Sequence, residues 1–216
     1  MSRILLLLTI LLCGLVPVLG KEPQELPKDL AYSDVKTGVV FPARLGKFHK
    51  TEIRLNSNAV VGTIIRYEGD RLGCAAHVYI YALSEKPQPI SREEFMEHWE
   101  KVRAAVLNPD PKAGRVEESE SVQQSAYSRN EREYAMREVF SIRTKGGGTY
   151  YSELLLLPCG DQTVKLRITV PKAEKEAVIE AKDFIREFCK LFFTAKPAEF
   201  KPTAGTVSTD SAQTKL

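Results

Sequence analysis

The sequence has few of the residue types that most often carry chemistry. Its 216 residues include three histidines and four cysteines, and none of them stands in the CxxC, HxH or HExxH spacing from which redox and zinc sites are built. The GxSxG segment of serine hydrolases is also missing. We therefore predict no catalytic residue, no metal site and no cofactor. A site assembled from residues distant in sequence stays open.

A strong excess of charge of one sign is missing as well. Lysine and arginine number 31 against 28 aspartates and glutamates, a formal net charge of +3. Such a small excess of positive charge, with both signs interspersed, does not indicate a surface that binds nucleic acid. We expect no nucleic-acid partner.

Long apolar runs are confined to the beginning of the chain. A positive start at Met1–Arg3 precedes the apolar segment Ile4–Leu15, and small residues lead to Gly20. This pattern predicts a secretory signal peptide over residues 1–20, cleaved after Gly20, and a secreted or periplasmic protein. The run is short for a membrane span, so the expected membrane contact is through an uncleaved signal segment alone.

The four cysteines divide between the leader and the mature chain. Cys13 follows Leu12, where lipoprotein processing needs a small residue, so we interpret it as part of the signal. Cys74, Cys159 and Cys189 remain. An oxidising compartment permits one disulfide among them or leaves them as free thiols, and the sequence does not choose the pairing.

The mature chain divides into an arm, a domain and a tail. Residues 21–38 are polar and proline-bearing without periodicity, which predicts a mobile N-terminal arm. Residues 39–195 carry the periodic segments of a single α+β domain. Residues 196–216 are rich in Thr, Ser, Ala and Lys and predict a disordered C-terminal tail.

Within the domain, hydrophobic periodicity predicts three strands, a helix, four strands and a helix. The strands are predicted over His49–Leu55, Val60–Glu68, Leu72–Leu83, Val116–Tyr127, Tyr134–Thr144 and the two halves of a hairpin over Thr149–Val170. Ser91 and Glu94 form a capping box that starts the first helix. The second helix follows the apolar stripe Ala177, Ala181, Phe184, Phe188 and Leu191.

Short connections between these strands predict a largely antiparallel sheet and an α+β fold class. Leu154–Leu157 is apolar at four consecutive positions, so both faces of its strand should be buried. This favours one helix on each face, a three-layer α/β/α sandwich. Both helices on one face is the alternative.

Three segments carry a resemblance to known proteins. An FPxxLGxF segment over Phe41–Phe48, a VYxY strand within His77–Leu83 and a KxRxT strand within Val164–Val170 are similar to segments of uncharacterised secreted bacterial proteins. The order of elements over Val39–Phe193 resembles the Mog1/PsbP-like sandwiches. The resemblance implies an accessory or binding role without catalysis, and it carries no functional residue to this chain.

Two groups of side chains are candidates for binding. The polar faces of the late strands carry four cations that we expect to lie near one another and to accept an anionic ligand or partner: Arg137, Arg143, Lys165 and Arg167. The alternative is a solvated face, partly paired with Glu138 and Glu153.

The second group is a row of rings with polar tips on the third strand, namely His77, Tyr79 and Tyr81. It suits a partner surface or, alternatively, the margin of a core under a helix. Together these features favour a non-catalytic accessory or interaction module for an unknown protein or small anionic ligand. The competing hypothesis is a small-ligand-binding protein or hydrolase.

Overall fold

The computed structural model describes residues 24–25, 27, 29–86, 88–109, 116–130 and 133–194. The predicted signal peptide and the predicted C-terminal tail both lie outside these residues. No helix within the described part of the chain is long and apolar enough to cross a membrane.

Eleven strands and two helices make up the described chain. They are β1 (Gln24–Glu25), β2 (Tyr32–Ser33), β3 (Val40–Phe41), β4 (Arg44–Leu45), β5 (Phe48–Leu55), β6 (Thr63–Gly69), β7 (Ala75–Tyr81), α1 (Arg92–Leu107), β8 (Val116–Asn130), β9 (Glu133–Thr144), β10 (Thr149–Cys159), β11 (Gln162–Pro171) and α2 (Lys175–Thr194).

The main sheet is antiparallel throughout, in the order β1-β5-β6-β7-β11-β10-β9-β8, with β4 also paired to β5. The predicted α+β class with a largely antiparallel sheet is confirmed. The hairpin of β10 and β11 lies at the centre of the sheet, and the polar strand β8 forms one edge. Three register shifts along β8 interrupt its ladder with β9, which hinders pairing of this edge with another chain.

The two helices pack on opposite faces of the sheet. Phe184 and Phe188 of α2 share one core with Leu155 and Leu157 of β10, whereas Trp99 of α1 shares the other core with the alternate residues of that strand. Successive side chains of a strand point to opposite faces, so the apolar run of β10 serves both cores. The molecule is a three-layer α/β/α sandwich, as the favoured interpretation of the sequence required.

Helix α1 covers only part of its face. It begins with the predicted capping box, in which the Glu94 amide donates to Ser91 Oγ at 3.1 Å and the Ser91 amide donates to Glu94 Oε2 at 2.9 Å. From there its apolar side packs over β8, β9 and β10. On the same face, no helix of the described chain packs its apolar side over β5, β6, β7 or β11, although His98 of α1 reaches the Tyr81 hydroxyl of β7.

The predicted mobile arm over residues 21–38 does not hold for its second half. Strand β2 pairs with β3, and the buried carboxylate of Asp34 accepts hydrogen bonds from the Thr37 amide at 2.9 Å and from its hydroxyl at 2.7 Å. The Lys50 ammonium group donates to the Leu30 carbonyl oxygen at 2.6 Å. These contacts join residues 30–38 to the domain.

Strand β6 begins three residues later than predicted. Val60 and Val61 lie in a turn that closes when the amides of Val61 and Gly62 donate to the Asn58 carbonyl oxygen, at 3.2 and 2.8 Å. Gly62 has a φ of +65°, and a Cβ there would lie 1.9 Å from the Ile80 carbonyl oxygen. Because only glycine fits, the turn must come before the strand, and both valines remain on the surface.

Candidate functional site

The uncovered part of the α1 side brings together residues from both candidate groups. His77, Tyr79 and Tyr81 of β7 lie on it, and the neighbouring strand β11 contributes Lys165 and Arg167. In the register of the two strands, Tyr79 pairs with Lys165 and His77 pairs with Arg167. Directly opposed residues share one face of a sheet and touch. We call these five residues the basic strand face.

Lys165 lies over the aromatic rings of β7. Its Nζ is 4.1 Å from the centre of the Tyr79 ring and 5.8 Å from that of Tyr81, a cation–π arrangement. Burial, with a contribution from the positive charge of Arg167, lowers the pKa of Lys165. Among the described residues, no carboxylate lies within 4.0 Å of its ammonium group.

Arg167 is oriented by a buried serine. Its Nε donates to Ser152 Oγ at 3.4 Å, and that hydroxyl in turn donates to the Ile168 carbonyl oxygen at 3.2 Å and lies 3.0 Å from Thr169 Oγ1. Burial lowers the pKa of Arg167, and the nearby Tyr79 acts in the opposite direction. Arg167 also lacks an ion-pair partner within the described chain, so its remaining guanidinium donors are available for a ligand.

His77 lies between two cations. It pairs across the sheet with Arg66 on β6 and with Arg167 on β11, and Arg66 has its own ion pair with Glu68 at 2.8 Å. Burial first, then the charge of Arg66 and more weakly that of Arg167, lowers the pKa of His77, while Glu52 opposes the shift. These contributions all act against protonation of the imidazole, apart from that of the acidic residues.

Tyr81 connects the basic strand face to helix α1. Its hydroxyl lies 2.6 Å from His98 Nε2. Burial raises the pKa of Tyr81 and lowers that of His98, to which the charges of Lys165 and Lys101 also contribute. The Tyr81 ring thus lies at the margin of the area under α1.

A cleft of about 290 Å³ opens beside this contact. It is lined by Val60, Tyr81, Ala82, Leu83, Ser84, Gln88, Ile90, Glu94, Glu97, His98, Lys101 and Asp161. The Ser84 hydroxyl donates to the Lys86 carbonyl oxygen at 2.7 Å.

The prediction that four cations lie together is wrong for two of them. Arg137 pairs in register with Leu155, whose side chain faces α2, and its guanidinium binds Glu153 there. Arg143 lies near the end of the β8–β9 ladder and contacts the carboxylates of Glu117 at 3.4 Å and Glu118 at 2.7 Å. Lys165 and Arg167 are the two that share a surface.

The two acidic residues that were expected to pair with the candidate cations have different roles. Glu153 does bind Arg137 and also accepts a hydrogen bond from the Tyr151 hydroxyl. Glu138, which is fully buried on the α1 side, instead binds Arg103 of α1 at 2.7 Å. The ion pair between Arg103 and Glu138 links α1 to β9.

The three cysteines of the described chain are free thiols. Burial raises the pKa of both Cys159 and Cys189 to about 11, so neither is a reactive thiolate at neutral pH. Within the residues that the structure describes, no group of three or more His, Cys, Asp or Glu side chains could hold a metal ion.

No family model matches the sequence, and no curated protein matches it. Among solved structures, the chain is similar to the solution structure of cyanobacterial PsbP (CyanoP) from Synechocystis sp. PCC 6803. The two share 11% sequence identity and a TM-score of 0.44, over 82% of this chain and 94% of that one. At this identity and TM-score the similarity carries no argument about the family or the role of this chain.

Proposed function

We propose that this protein is an exported, non-catalytic interaction module that binds acidic groups of a protein partner on the basic strand face. The observation that carries the proposal is a pair of partly buried cations, Lys165 and Arg167, without a carboxylate partner among the described residues. A buried cation is normally paired, so an unpaired couple on an open surface favours a negatively charged ligand.

The spacing of the two cations favours an acidic polypeptide over a compact anion. Lys165 and Arg167 are alternate residues of one strand, so their Cα atoms are about 6.6 Å apart. The Lys165 ammonium group leans towards the rings of β7, whereas Arg167 is drawn towards Ser152 on β10. Alternate carboxylates of an extended peptide have the same spacing and reach both groups.

Export is inferred from the apolar leader at residues 1–20. A hydrolase is the less favoured alternative. Ser84 is the serine of the cleft that could serve as a nucleophile, and its hydroxyl donates to the Lys86 carbonyl oxygen. His98 there contacts the Tyr81 hydroxyl instead. This arrangement lacks the nucleophile–base contact that nucleophilic catalysis requires.

The test is a titration of the purified protein with an acetylated peptide of alternating Glu and Ser, followed by isothermal calorimetry at low salt. We expect the double variant Lys165→Gln/Arg167→Gln to weaken binding about tenfold or more. The matched control Lys175→Gln/Lys182→Gln removes the same charge from α2 and should leave the affinity within about twofold.

A wild type that does not bind this peptide, or binds it as well after the double substitution as before, would overturn the proposal. Binding of inorganic phosphate or of an acidic polysaccharide in place of the peptide would overturn the partner class. A peptide of alternating Gln and Ser must bind more weakly than the Glu peptide, because the attraction is to charge.

A further inference from the structure

The cleft beside α1 and the basic strand face form one continuous surface. Tyr81 belongs to both: its ring lines the cleft and lies 5.8 Å from Lys165 Nζ. His98 lines the cleft and contacts the Tyr81 hydroxyl. A ligand on the two cations can therefore contact Tyr81 and reach the cleft from there.

The cleft has the size and lining of a pocket for one side chain. Its volume of about 290 Å³ is at the lower limit of sites that hold a whole small ligand. Apolar atoms of Val60, Leu83 and Ile90 form part of the lining. An aromatic or large aliphatic side chain would bury its surface there and leave water behind.

The charged side chains that line the cleft are mostly acidic, with Lys101 as the one lysine among them. Glu94, Glu97 and Asp161 line it; of these, Glu94 is held in the capping box and Glu97 binds Lys101 at 2.6 Å. A carboxylate of the partner would be repelled at this end and attracted at Lys165 and Arg167. The ligand therefore has an orientation, with its apolar group in the cleft.

The strand register fixes the spacing between these points. Tyr81, near the C-terminal end of β7, lies at the cleft. Tyr79 lies two residues before it and pairs with Lys165, and His77 lies four residues before it and pairs with Arg167. An extended peptide advances about 3.3 Å per residue, as β7 does, and directs alternate side chains to one face. Its residues i, i+2 and i+4 therefore face the cleft, Lys165 and Arg167 in turn.

We propose that this surface binds an extended segment of the partner with an apolar side chain at position i and acidic side chains at positions i+2 and i+4. The proposal rests on the proposed function, since it uses the same two cations, and it adds the cleft and the register. The apolar group supplies burial, and the alternating acids supply charge and direction.

The test compares three synthetic pentapeptides by calorimetry on the purified protein. The probe is acetyl-Phe-Ser-Glu-Ser-Glu-amide. The register control, acetyl-Phe-Glu-Ser-Glu-Ser-amide, has the same composition with the acids moved to i+1 and i+3. The anchor control, acetyl-Ser-Ser-Glu-Ser-Glu-amide, lacks the ring. We expect each control to bind about tenfold more weakly than the probe, the loss for one apolar side chain or one misplaced set of charges.

A matched pair of variants tests the cleft itself. Val60 and Val61 are neighbours in the same turn with exposed fractions of 44% and 47%, and of the two only Val60 lines the cleft. Val60→Asp should weaken binding of the probe and leave binding of the anchor control unchanged, whereas Val61→Asp should change neither. Both positions are exposed, so both variants are expected to fold.

The outcomes separate this inference from the proposed function. Equal affinity for the probe and the register control, or no effect of Val60→Asp, would overturn the inference. The proposed function would stand in that case if Lys165→Gln/Arg167→Gln still abolished binding. Loss of sensitivity to that double variant would overturn both.

Discussion

Replacing Lys165 with methionine should stabilise the free protein and at the same time weaken its binding to an acidic peptide. In the free protein, Lys165 and Arg167 are like charges on alternate residues of β11, partly buried and without a carboxylate partner among the described residues. Methionine keeps an unbranched apolar stem on the Tyr79 ring and removes the charge. The free protein therefore carries the cost of holding two like charges close together on one face of β11.

The size of the effect follows from the geometry. Two unit charges at the Cα spacing of about 6.6 Å repel by about 2.5 kcal/mol at an effective dielectric constant of about 20. This is an upper limit, because the Lys165 ammonium group leans towards β7 and Arg167 towards β10. Solvent reduces this at a partly exposed site, and loss of the cation–π contact with Tyr79 offsets up to about 1 kcal/mol. We expect a net gain of about 1 kcal/mol in the free energy of unfolding, or about 2 to 4 °C in Tm for a domain of this size.

The assay is urea denaturation and thermal unfolding of the purified protein in 20 mM and in 500 mM salt. The stabilisation should shrink at high salt because the repulsion is screened. Lys182→Met on α2 is the control and should have little effect, since its side chain is exposed. Destabilisation by Lys165→Met at low salt, or a gain that does not depend on salt, would refute the reasoning.

The same substitution has a signature in the pH dependence. Burial and Arg167 lower the pKa of Lys165 below its ordinary value of 10.5, so between the two values the unfolded chain binds more protons than the folded protein. Stability contributed by this group therefore rises with pH across that window. Relative to the wild type, Lys165→Met should show a smaller rise, and its advantage should disappear as pH approaches about 10.5.

Three further predictions follow from the described contacts. His77→Gln should reduce the loss of stability that accompanies a fall in pH below about 6.5. The pKa of His77 is lowered in the folded protein, so the unfolded chain binds a proton more readily than the folded protein does. Urea denaturation at pH 7 and pH 5 measures this difference. Ser91→Ala should cost about 1 kcal/mol in urea denaturation through loss of the cap. Arg103→Met should cost about 3 kcal/mol because it leaves the buried Glu138 carboxylate without its cation.

Each of these has an outcome that contradicts it. An unchanged pH profile in His77→Gln would show that another group dominates acid destabilisation. Equal stability of Ser91→Ala and wild type would mean that the capping box does not hold in solution. Adding Glu138→Gln to Arg103→Met should recover part of the loss, and failure to recover it would assign the effect to lost packing of the arginine stem.

Much of the fold could be predicted because the hydrophobic periodicity and the local capping residues indicate the same helices and strands. The capping box at Ser91, the four-residue apolar run of β10 and the wide stripe of α2 each identify an element and the side that it buries. The turn before β6 could not be predicted in the same way. Val60 and Val61 have strand propensity, and the contact between Gly62 and the Ile80 carbonyl oxygen, which displaces them, joins residues distant in sequence.

The candidate site, too, could be predicted only where its features depend on neighbouring residues in the sequence. Alternation within a strand shows which of its residues share a face, so Lys165 with Arg167, and His77 with Tyr79, could be grouped from the sequence. The register between two strands cannot be deduced from the sequence of either strand, and a shift of one residue moves a side chain to the other face of the sheet. Arg137 was misplaced for that reason. Ser152 and Arg66 were missed because their roles depend on cross-strand pairing alone.

The position of α1 and the position of the site have a common cause. On the α1 side, Leu154 and Leu156 of β10 pair with Arg167 and Lys165 of β11, so the surface changes from apolar to charged between two adjacent strands. A helix laid over β11 would bury both cations without a carboxylate partner among the described residues, which is unfavourable. On the other side β11 is apolar at Val164–Val170 in alternation, and α2 does pack over it. Lys165 and Arg167 therefore limit how far the apolar side of α1 extends over this face, whereas His98 at the margin of the helix still reaches the Tyr81 hydroxyl of β7.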